Sequence, residues 1–420
     1  MSTQRSGRYV GFWGRSMGGW QEINYIGLVA EGGKGGDPRL KASVVIVGSG
    51  IIGLTTAYNM ALLGERDVII LEQGRVAYGS STRNAGHFRV HFWAPENAKF
   101  AIEANKRLMD FSSKMEWDAE IRRGGYLWLI YEEEHLKAYE KSNSELWSRL
   151  GVPGQILTPD EISERFPYVN VDGVIAGFYG PQDGKMNPNA ISLAYYKEVE
   201  RLGVRVLTYT KAEKIVVEGG RVVGVQSDAG FVEAGKVLVA AGGWTNELLR
   251  TAGIEIPIVP ERKEIGVTEP IGYFMDPLVI SLKSGIYVGQ MVRGEILGSV
   301  DYPKVEGVVP LTNTLDWITT WAREVSKVVP TVRRLMLLRS WSGYYTMTPD
   351  HSHILGRHPD WPAGLYVATG FSGHGFMMAP LAGELMARNV LYDEVDRLME
   401  PYLPTRFEEN KLIQETMVIG

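Results

Sequence analysis

The chain has 420 residues, of which 45% are hydrophobic and 22% charged, and its formal net charge is −5. These values are typical of a soluble globular protein of two or three domains, and the acidic balance argues against a nucleic-acid partner. The absence of cysteine excludes disulfides, thiolate metal sites, cysteine nucleophiles and a cysteinyl-linked cofactor.

The first forty residues are rich in glycine and aromatic residues and lack the apolar segment of a secretory signal. We predict an extended arm docked on a surface over residues 1–40, with a partly disordered extension as the alternative. No apolar run in the sequence is long enough to span a bilayer. The expected location is the cytoplasm, and association with the inner face of the membrane is left open.

The most informative segment is a predicted strand over residues 44–47, the turn Gly48-Ser49-Gly50-Ile51-Ile52-Gly53, a helix, and a second strand ending in Glu72. Gly48 permits the tight turn, Gly50 lets the backbone approach a pyrophosphate, and Gly53 lets the helix pack on the strand. The helix start offers N–H groups and a positive dipole end to phosphates. Glu72, about 20 residues further on, suits a ribose diol. The pattern predicts one dinucleotide site; the alternative is a glycine turn in an unrelated α/β unit.

Beyond this unit, the spacing of apolar residues alternates between the periods of helices and strands. Helices are predicted over residues 97–120, 132–150, 314–329 and 376–391, and Thr158-Pro159-Asp160-Glu161 is typical of another helix start. Strands are predicted over residues 126–131, 204–207, 215–217, 222–225, 237–241, 285–288, 296–300, 335–340 and 365–368. The pattern therefore predicts α/β structure in the two ends of the chain and a strand-rich middle.

Three further motifs follow in a fixed order: Ala240-Ala241-Gly242-Gly243-Trp244, Thr348-Pro349-Asp350 with Ile354-Leu355-Gly356, and the glycine turn at residues 370–375. Together with the first turn they resemble the D-amino-acid-oxidase superfamily of FAD enzymes. Residues 339–343 and 370–377 are most similar to the branch of dye-linked L-proline dehydrogenases and sarcosine oxidase β-subunits. The resemblance covers roughly residues 42–400.

The resemblance implies an α/β (α+β) fold, in which a Rossmann-like FAD-binding domain is assembled from several segments. A mostly antiparallel β substrate domain covers the flavin. The expected boundaries are an arm at 1–40, FAD-binding segments at 41–125, 183–260 and 341–400, substrate-domain segments at 126–182 and 261–340, and a tail at 401–420.

The resemblance also implies FAD. Several sarcosine oxidases attach FAD through a cysteine near Gly343, which this chain without cysteine cannot do, and we expect non-covalent binding. The loop at residues 80–84 would contact phosphates and the flavin ring. The turn at 370–375 would direct N–H groups and a helix dipole at the pyrimidine edge of the flavin, where reduction deposits negative charge; a simple glycine start for a packing helix is the alternative. The predicted cofactor residues are Gly48, Gly50, Ile51, Ile52, Gly53, Glu72, Gln73, Arg75, Ser80, Ser81, Thr82, Arg83, Asn84, Ala241, Gly242, Trp244, Gly343, Gly370, Gly373, His374, Gly375, Phe376 and Met377.

The predicted catalytic residues are Arg89, Arg339, Tyr345 and His374. An amino-acid substrate needs a guanidinium for its carboxylate, and Arg89 and Arg339 are the candidates; a structural ion pair is the alternative for each. Some relatives hold this carboxylate with an Arg where Tyr345 stands or a Lys where Met377 stands. The chain departs from the family at both positions.

Relatives that react well with oxygen often carry a lysine over the flavin, and the alignment places Ile296 there. An apolar residue favours a dehydrogenase with a quinone or protein acceptor. His87 and His91 flank Arg89, and each either lines the pocket or is a satisfied surface or core histidine. No metal site is predicted, because three or four converging ligands are required.

We therefore expect oxidation of the α-carbon–nitrogen bond of an amino acid or amine by hydride transfer to flavin N5, with L-proline as the first choice. Sarcosine, another N-methyl amino acid or a D-amino acid is the alternative substrate. Rivals from other classes are an NAD-linked dehydrogenase, a non-catalytic FAD subunit of a larger complex, and a tRNA-modifying relative. The expected partners are the small substrate and a quinone or dye-type acceptor; homo- or hetero-oligomerisation is left open.

Overall fold

The structure, a computed structural model, describes residues 40–416. Residues 1–39 of the predicted arm and residues 417–420 of the predicted tail lie outside this range. The α-helices of the described part are Ile51–Leu62, Pro95–Met109, Phe111–Met115, Glu133–Ser142, Pro159–Arg165, Pro188–Arg201, Thr245–Leu249, Leu315–Val328 and Gly375–Tyr392. A π-helical turn spans Asn143–Trp147, and 3₁₀ turns span Ser80–Thr82, Gly242–Trp244, Arg250–Ala252, Pro330–Arg334, Glu400–Tyr402 and Pro404–Phe407.

Six strands form the first sheet, called the parallel sheet below. In spatial order they are Ile354–Gly356, Leu365–Thr369, Lys236–Val239, Val44–Val47, Val68–Leu71 and Arg205–Leu207. Neighbours run parallel except for the first pair, which is antiparallel. The central strands are continuous Val, Ile and Leu runs because both faces of the sheet are covered.

Four helices cover one face of the parallel sheet: Ile51–Leu62, Pro95–Met109, Pro188–Arg201 and Gly375–Tyr392. The first and last come from opposite ends of the chain, and they cross at Gly383, where an added Cβ would lie 2.3 Å from Oγ1 of Thr55. On the other face lie Thr245–Leu249 and a four-stranded sheet. Its strands, in spatial order, are Leu40–Lys41, Gly230–Glu233, Arg221–Ser227 and Ala212–Glu218.

Eight strands form the second large unit, called the large sheet below. In spatial order they are Leu337–Met347, Val259–Pro270, Glu295–Ser299, Ile286–Gln290, Leu278–Ser281, Tyr126–Ile130, Ala176–Gly180 and Gln155–Leu157. Only Leu278–Ser281 and Tyr126–Ile130 pair in parallel; the other neighbours are antiparallel. A short ladder pairs His87–Phe88 with Gly184–Lys185.

The α/β fold class and the division into a parallel and a mostly antiparallel part are confirmed. The predicted helix start at Thr158 is also confirmed, because its side chain and that of Glu161 form a reciprocal capping box. Strands Val259–Pro270 and Leu337–Met347 run through the expected boundaries at 260/261 and 340/341. Within residues 40–416, no helix has the length and apolar character needed to cross a membrane.

Candidate active site

A cavity of about 460 Å³ lies where the parallel sheet meets the large sheet. Its lining includes the carboxyl ends of the parallel strands, at Val47, Ala240 and Thr369, and the large-sheet residues Ile265 and Tyr345. In open α/β sheets this edge is the usual place for ligands, because loops leave the sheet there.

The first glycine turn closes one end of this cavity. Gly48 has a φ of +105°, and an added Cβ would lie 2.5 Å from the Ala240 carbonyl oxygen. At Gly53 an added Cβ would lie 2.1 Å from the Gly48 carbonyl oxygen, so the helix packs closer than a side chain permits. Gly50 caps helix Ile51–Leu62 without a side-chain hydrogen bond. Apart from the Ile51 N–H, which donates to the Ser81 hydroxyl, first-turn N–H groups therefore remain for an anionic ligand.

Glu72 lies beside this turn and is held by three donors. Its Oε2 accepts from the Ser49 backbone N–H at 3.0 Å and from the Ser49 hydroxyl at 2.8 Å, while Oε1 accepts from the Gly74 N–H at 2.9 Å. The side chain is buried and lines the cavity. An ionised carboxylate has about four acceptor positions, so capacity remains for a ligand hydroxyl.

The loop at residues 80–84 is tied to strand Leu337–Met347. The Ser80 hydroxyl donates to the Tyr344 carbonyl at 2.7 Å and accepts from its N–H at 3.1 Å. Arg83 donates to the Ser342 carbonyl at 3.1 Å, and the Ser81 hydroxyl accepts from the Ile51 N–H at 2.9 Å. This loop therefore links the large sheet to the start of the first helix.

The second glycine turn lies on the same cavity. Gly370 and Gly373 have φ values of +70° and +89°, and an added Cβ at Gly373 would lie 2.5 Å from the Tyr345 ring. Helix Gly375–Tyr392 follows with no side-chain cap. Gly373, Gly375 and Phe376 line the cavity, so the N-termini of two helices from opposite ends of the chain face one space.

The large sheet supplies a wall of tyrosines. Tyr345 and Tyr287 both line the cavity, and their side chains are hydrogen-bonded to each other. Burial raises the pKa of Tyr345, against the opposing effects of the Arg89 charge and of Tyr287. Burial likewise raises the pKa of Tyr287 well above its usual value. Both hydroxyls are therefore neutral donors at physiological pH.

Arg89 lies deeper than the cavity lining and contacts the second glycine turn. Its Nη2 is 3.1 Å from Nε2 of His374, and its guanidinium lies 4.4 Å from the centroid of the Phe92 ring. Its backbone N–H donates to the sulfur of Met377 at 3.4 Å. Burial, followed by the charge of Arg89, lowers the pKa of His374 well below its usual value. A neutral His374 can accept the Arg89 N–H.

The structure brings most of the predicted residues to one cavity. Those that line it are Gly48, Gly50, Ile51, Ile52, Glu72, Gln73, Ser80, Ser81, Arg83, Asn84, Ala241, Gly242, Trp244, Gly343, Tyr345, Gly370, Gly373, Gly375 and Phe376. Gly343 packs against the loop at 80–84, since an added Cβ would be 3.2 Å from Cβ of Arg83. The roles assigned to these residues remain predictions.

Seven predicted residues do not line the cavity: Gly53, Arg75, Thr82, Arg89, Arg339, His374 and Met377. Gly53, Arg89, His374 and Met377 lie directly behind lining residues. Arg75, Thr82 and Arg339 border a separate groove of about 320 Å³ that shares Arg83, Asn84 and Ala85 with the cavity. Arg339 is exposed, and its guanidinium lies 4.9 Å from the Trp341 ring.

The alignment that placed Ile296 over the flavin is wrong. Ile296 is fully buried among Val288, Trp317 and Trp321, on the face of the large sheet away from the cavity. Side chains alternate along a strand, so the neighbouring Leu297 points to the opposite face, where it packs with Tyr287.

Lys263 is a cavity residue that the sequence did not reveal. It pairs with Gly343 across the large sheet, and its Nζ lies 5.8 Å from the Tyr345 ring and 3.5 Å from Oε2 of Glu261. Only the long-range pairing of two strands brings it there, and no local motif marks it. Tyr287 was missed for the same reason.

Comparisons with known proteins agree with this geometry. The family described as "FAD dependent oxidoreductase" (DAO) matches residues 43–389. Sarcosine oxidase subunit beta of Rhodobacter capsulatus is 26% identical over 393 residues, covering 91% of this chain and 93% of the relative. The structure of L-proline dehydrogenase from P. horikoshii is 32% identical with a TM-score of 0.83, covering 89% of this chain and all of that chain.

A glycine oxidase structure from Geobacillus kaustophilus shares the fold, with a TM-score of 0.80 at 22% identity over 87% of this chain and 99% of that chain. The family match spans both glycine turns and the large sheet. Since no cysteine is present, a cysteinyl link to the flavin is excluded. The chain belongs to the DAO family of FAD-dependent oxidoreductases and acts on CH–NH donors.

Proposed function

We propose that this protein is an FAD-dependent dehydrogenase of a secondary amino acid, with L-proline as the first substrate to test. The observation that carries the proposal is that two helix N-termini, neither capped by the side chain of its own N-cap residue, and a wall of tyrosines face one cavity. The likeness to an L-proline dehydrogenase structure over 89% of the chain supports both this substrate and a dehydrogenase. Ile296 gives the dehydrogenase no support, because it lies away from the cavity, and the cavity lining includes Lys263. The β-subunit relatives favour sarcosine as the alternative.

The residues present fit a non-covalently bound FAD. Gly48 and Gly53 leave no room for a side chain, which opens the backbone N–H groups of the first turn to a pyrophosphate. Glu72 would accept the ribose hydroxyls. The second turn, from Gly370 to the start of helix Gly375–Tyr392, would face the ring edge that gains negative charge. When bound, FAD supplies the two-electron acceptor, and N5 of its ring takes the hydride.

We assign the substrate carboxylate to Tyr345 and Arg89. The Tyr345 hydroxyl is a neutral donor on the cavity wall, and the charge of Arg89 lies close enough to lower its pKa. A charge-assisted hydrogen bond is about twice as strong as a neutral one, so a carboxylate is favoured over an uncharged group here. Holding the carboxylate orients the C–H bond beside nitrogen for hydride loss.

Two histidines near Arg89, His87 and His374, are not strong bases. Burial lowers the pKa of His87 to about 3, and the pKa of His374 is also strongly lowered, so both are neutral. The substrate amine therefore enters unprotonated, and its lone pair forms the C=N bond as hydride leaves the adjacent carbon. The immediate product is an iminium ion, which gives the imine when its N–H proton passes to solvent.

The test is a panel of amines offered to the FAD-loaded protein, with an artificial dye and with oxygen as parallel acceptors. We expect L-proline to give the highest kcat/KM with the dye. Sarcosine oxidation without proline oxidation would select the alternative substrate, and oxygen consumption at the dye rate would identify an oxidase. A protein that binds FAD and oxidises no amine would be a non-catalytic subunit.

Two further measurements use the same assay. Arg89→Gln should raise KM for L-proline about tenfold or more while the surface change Arg165→Gln leaves it unaltered. Proline deuterated at C2 or at C5 identifies the oxidised carbon, because only the carbon that loses hydride shows a primary isotope effect.

The likeness to proteins named subunit beta supports assembly with another chain. Size-exclusion chromatography of the protein alone, and after co-expression with its neighbouring genes, tests this.

A further inference from the structure

His91 and Asp183 form a buried pair that is hydrogen-bonded to the segment next to Arg89. Nδ1 of His91 donates to Oδ2 of Asp183 at 2.8 Å, and both side chains have no exposed surface. Nε2 of His91 is 3.0 Å from the Val152 carbonyl oxygen. Both ring nitrogens of His91 therefore have a hydrogen-bond partner.

The side chains of His91 and Asp183 are closely packed by their neighbours. Three aromatic rings, from Trp128, Trp147 and Phe178, contact the His91 ring edge-on with centroids 5.1–6.2 Å away. At Gly180 an added Cβ would lie 2.4 Å from Oδ2 of Asp183 and 2.5 Å from Nδ1 of His91. Breaking one half of such a pair leaves an uncompensated buried charge.

Asp183 also holds the main chain next to Arg89. Its Oδ1 accepts from the Val90 N–H at 2.7 Å. The two residues that follow, Gly184 and Lys185, pair with Phe88 and His87 in a short ladder. The Asp183 carboxylate therefore adds a hydrogen bond to Val90, just beyond the end of the ladder. Arg89 lies between Val90 and the ladder residue Phe88, which are both held in place.

We propose that His91 and Asp183 are positioning residues that fix the backbone of Arg89 and thereby aim its guanidinium at the substrate carboxylate. This inference rests on the proposed function, because it takes Arg89 as the carboxylate-binding charge. Neither residue lines the cavity, and neither is required to touch the substrate or the flavin.

The experiment compares Asp183→Ala with Asp183→Asn in the FAD-loaded protein. The alanine variant loses both bonds, whereas asparagine can accept the Val90 N–H and donate to a neutral His91. For L-proline, the alanine variant should show KM raised about tenfold or more with kcat little changed, and asparagine should restore most of the loss. For pyrrolidine, which lacks the carboxylate, kcat/KM should stay at the wild-type value in both.

A binding readout is independent of turnover. Calorimetric titration with tetrahydrofuran-2-carboxylate, which lacks the amine, should give a Kd raised about tenfold in Asp183→Ala. Adding Asp183→Ala to Arg89→Gln should weaken binding no further than Arg89→Gln alone, because both changes act on one contact. His91→Gln, which keeps the Val90 bond, takes the place of the alanine variant if that protein does not fold.

Equal losses for L-proline and pyrrolidine, or additive losses with Arg89→Gln, would overturn the positioning role. If wild-type protein oxidises no amine, the proposed function fails; the carboxylate titration still decides whether the pair acts through Arg89.

Discussion

Replacing Glu72 with glutamine tests the assignment of the first glycine turn to the nucleotide. Glu72 accepts three hydrogen bonds, two of them from Ser49, and it lines the cavity. In Glu72→Gln one oxygen becomes an NH₂ group that faces a donor, and the charge that would bind a ribose diol disappears. Hydrogen bonds to charged groups contribute about 1.5–3 kcal/mol each. A loss of about 3 kcal/mol corresponds to a Kd for FAD roughly 140-fold higher.

The assay is titration of the apoprotein with FAD, followed by quenching of flavin fluorescence. Glu213→Gln is the matched control, since Glu213 borders the same cavity but is exposed. It should leave the Kd within about twofold of wild type, as expected for a surface substitution within 0.5 kcal/mol. If Glu72→Gln binds FAD as tightly as wild type, while its apoprotein melts at the same temperature, the ribose assignment is refuted.

Three other predictions concern packing, charge and pH. Gly53→Ala should destabilise the protein by more than about 3 kcal/mol and abolish FAD binding, whereas Gly235→Ala, with open space around its Cβ, should shift unfolding by less than about 0.5 kcal/mol in thermal melts. Lys263→Met should lower the flavin midpoint potential by about 10–30 mV, because it removes a positive charge beside the cavity. Glu261→Gln should raise the potential, because it removes the negative charge paired with Lys263. If spectroelectrochemistry shows shifts of the same sign in both variants, this prediction is contradicted. Burial lowers the pKa of His353 well below its usual value, so its stabilising effect is complete above about pH 6.5 and is lost as pH falls toward the folded pKa. His353→Phe should therefore lose less stability than wild type between pH 7 and 5, by up to about 2 kcal/mol in urea unfolding, and an identical pH dependence in both proteins would show that His353 is not buried in the neutral form.

The sequence predicted those features of the fold that depend on residues close together in the chain. The turn at Gly48 and Gly53 was recognisable because close backbone contacts tolerate only glycine, and the structure shows those contacts. The start of the helix at Thr158 was recognisable because a capping box involves residues three apart. Alternating helical and strand periods also separated the α/β ends from the strand-rich middle.

Contacts between distant segments could not be predicted in the same way. Ile296 and Leu297 differ by one position, yet they face opposite sides of the large sheet, so the sequence alone did not show that Ile296 points away from the cavity. Lys263 reaches the cavity only through its pairing with Gly343. Arg339 shares a strand with Tyr345 but lies at its exposed end, beside a different groove.

The histidines beside Arg89 show the same limit. The sequence left His91 as either a pocket or a core residue, and the structure buries it fully against Asp183, 92 positions along the chain. No spacing rule connects these two residues. Their pairing depends on the ladder between His87–Phe88 and Gly184–Lys185, which brings the two segments together.

The most direct test of the account is anaerobic addition of L-proline to the purified FAD-loaded protein, followed by its visible absorbance. We expect the oxidised flavin band to bleach and then to return when a dye acceptor is added. A band that stays unchanged with L-proline, sarcosine and every other amine of the panel would contradict the proposal that this cavity oxidises an amino acid.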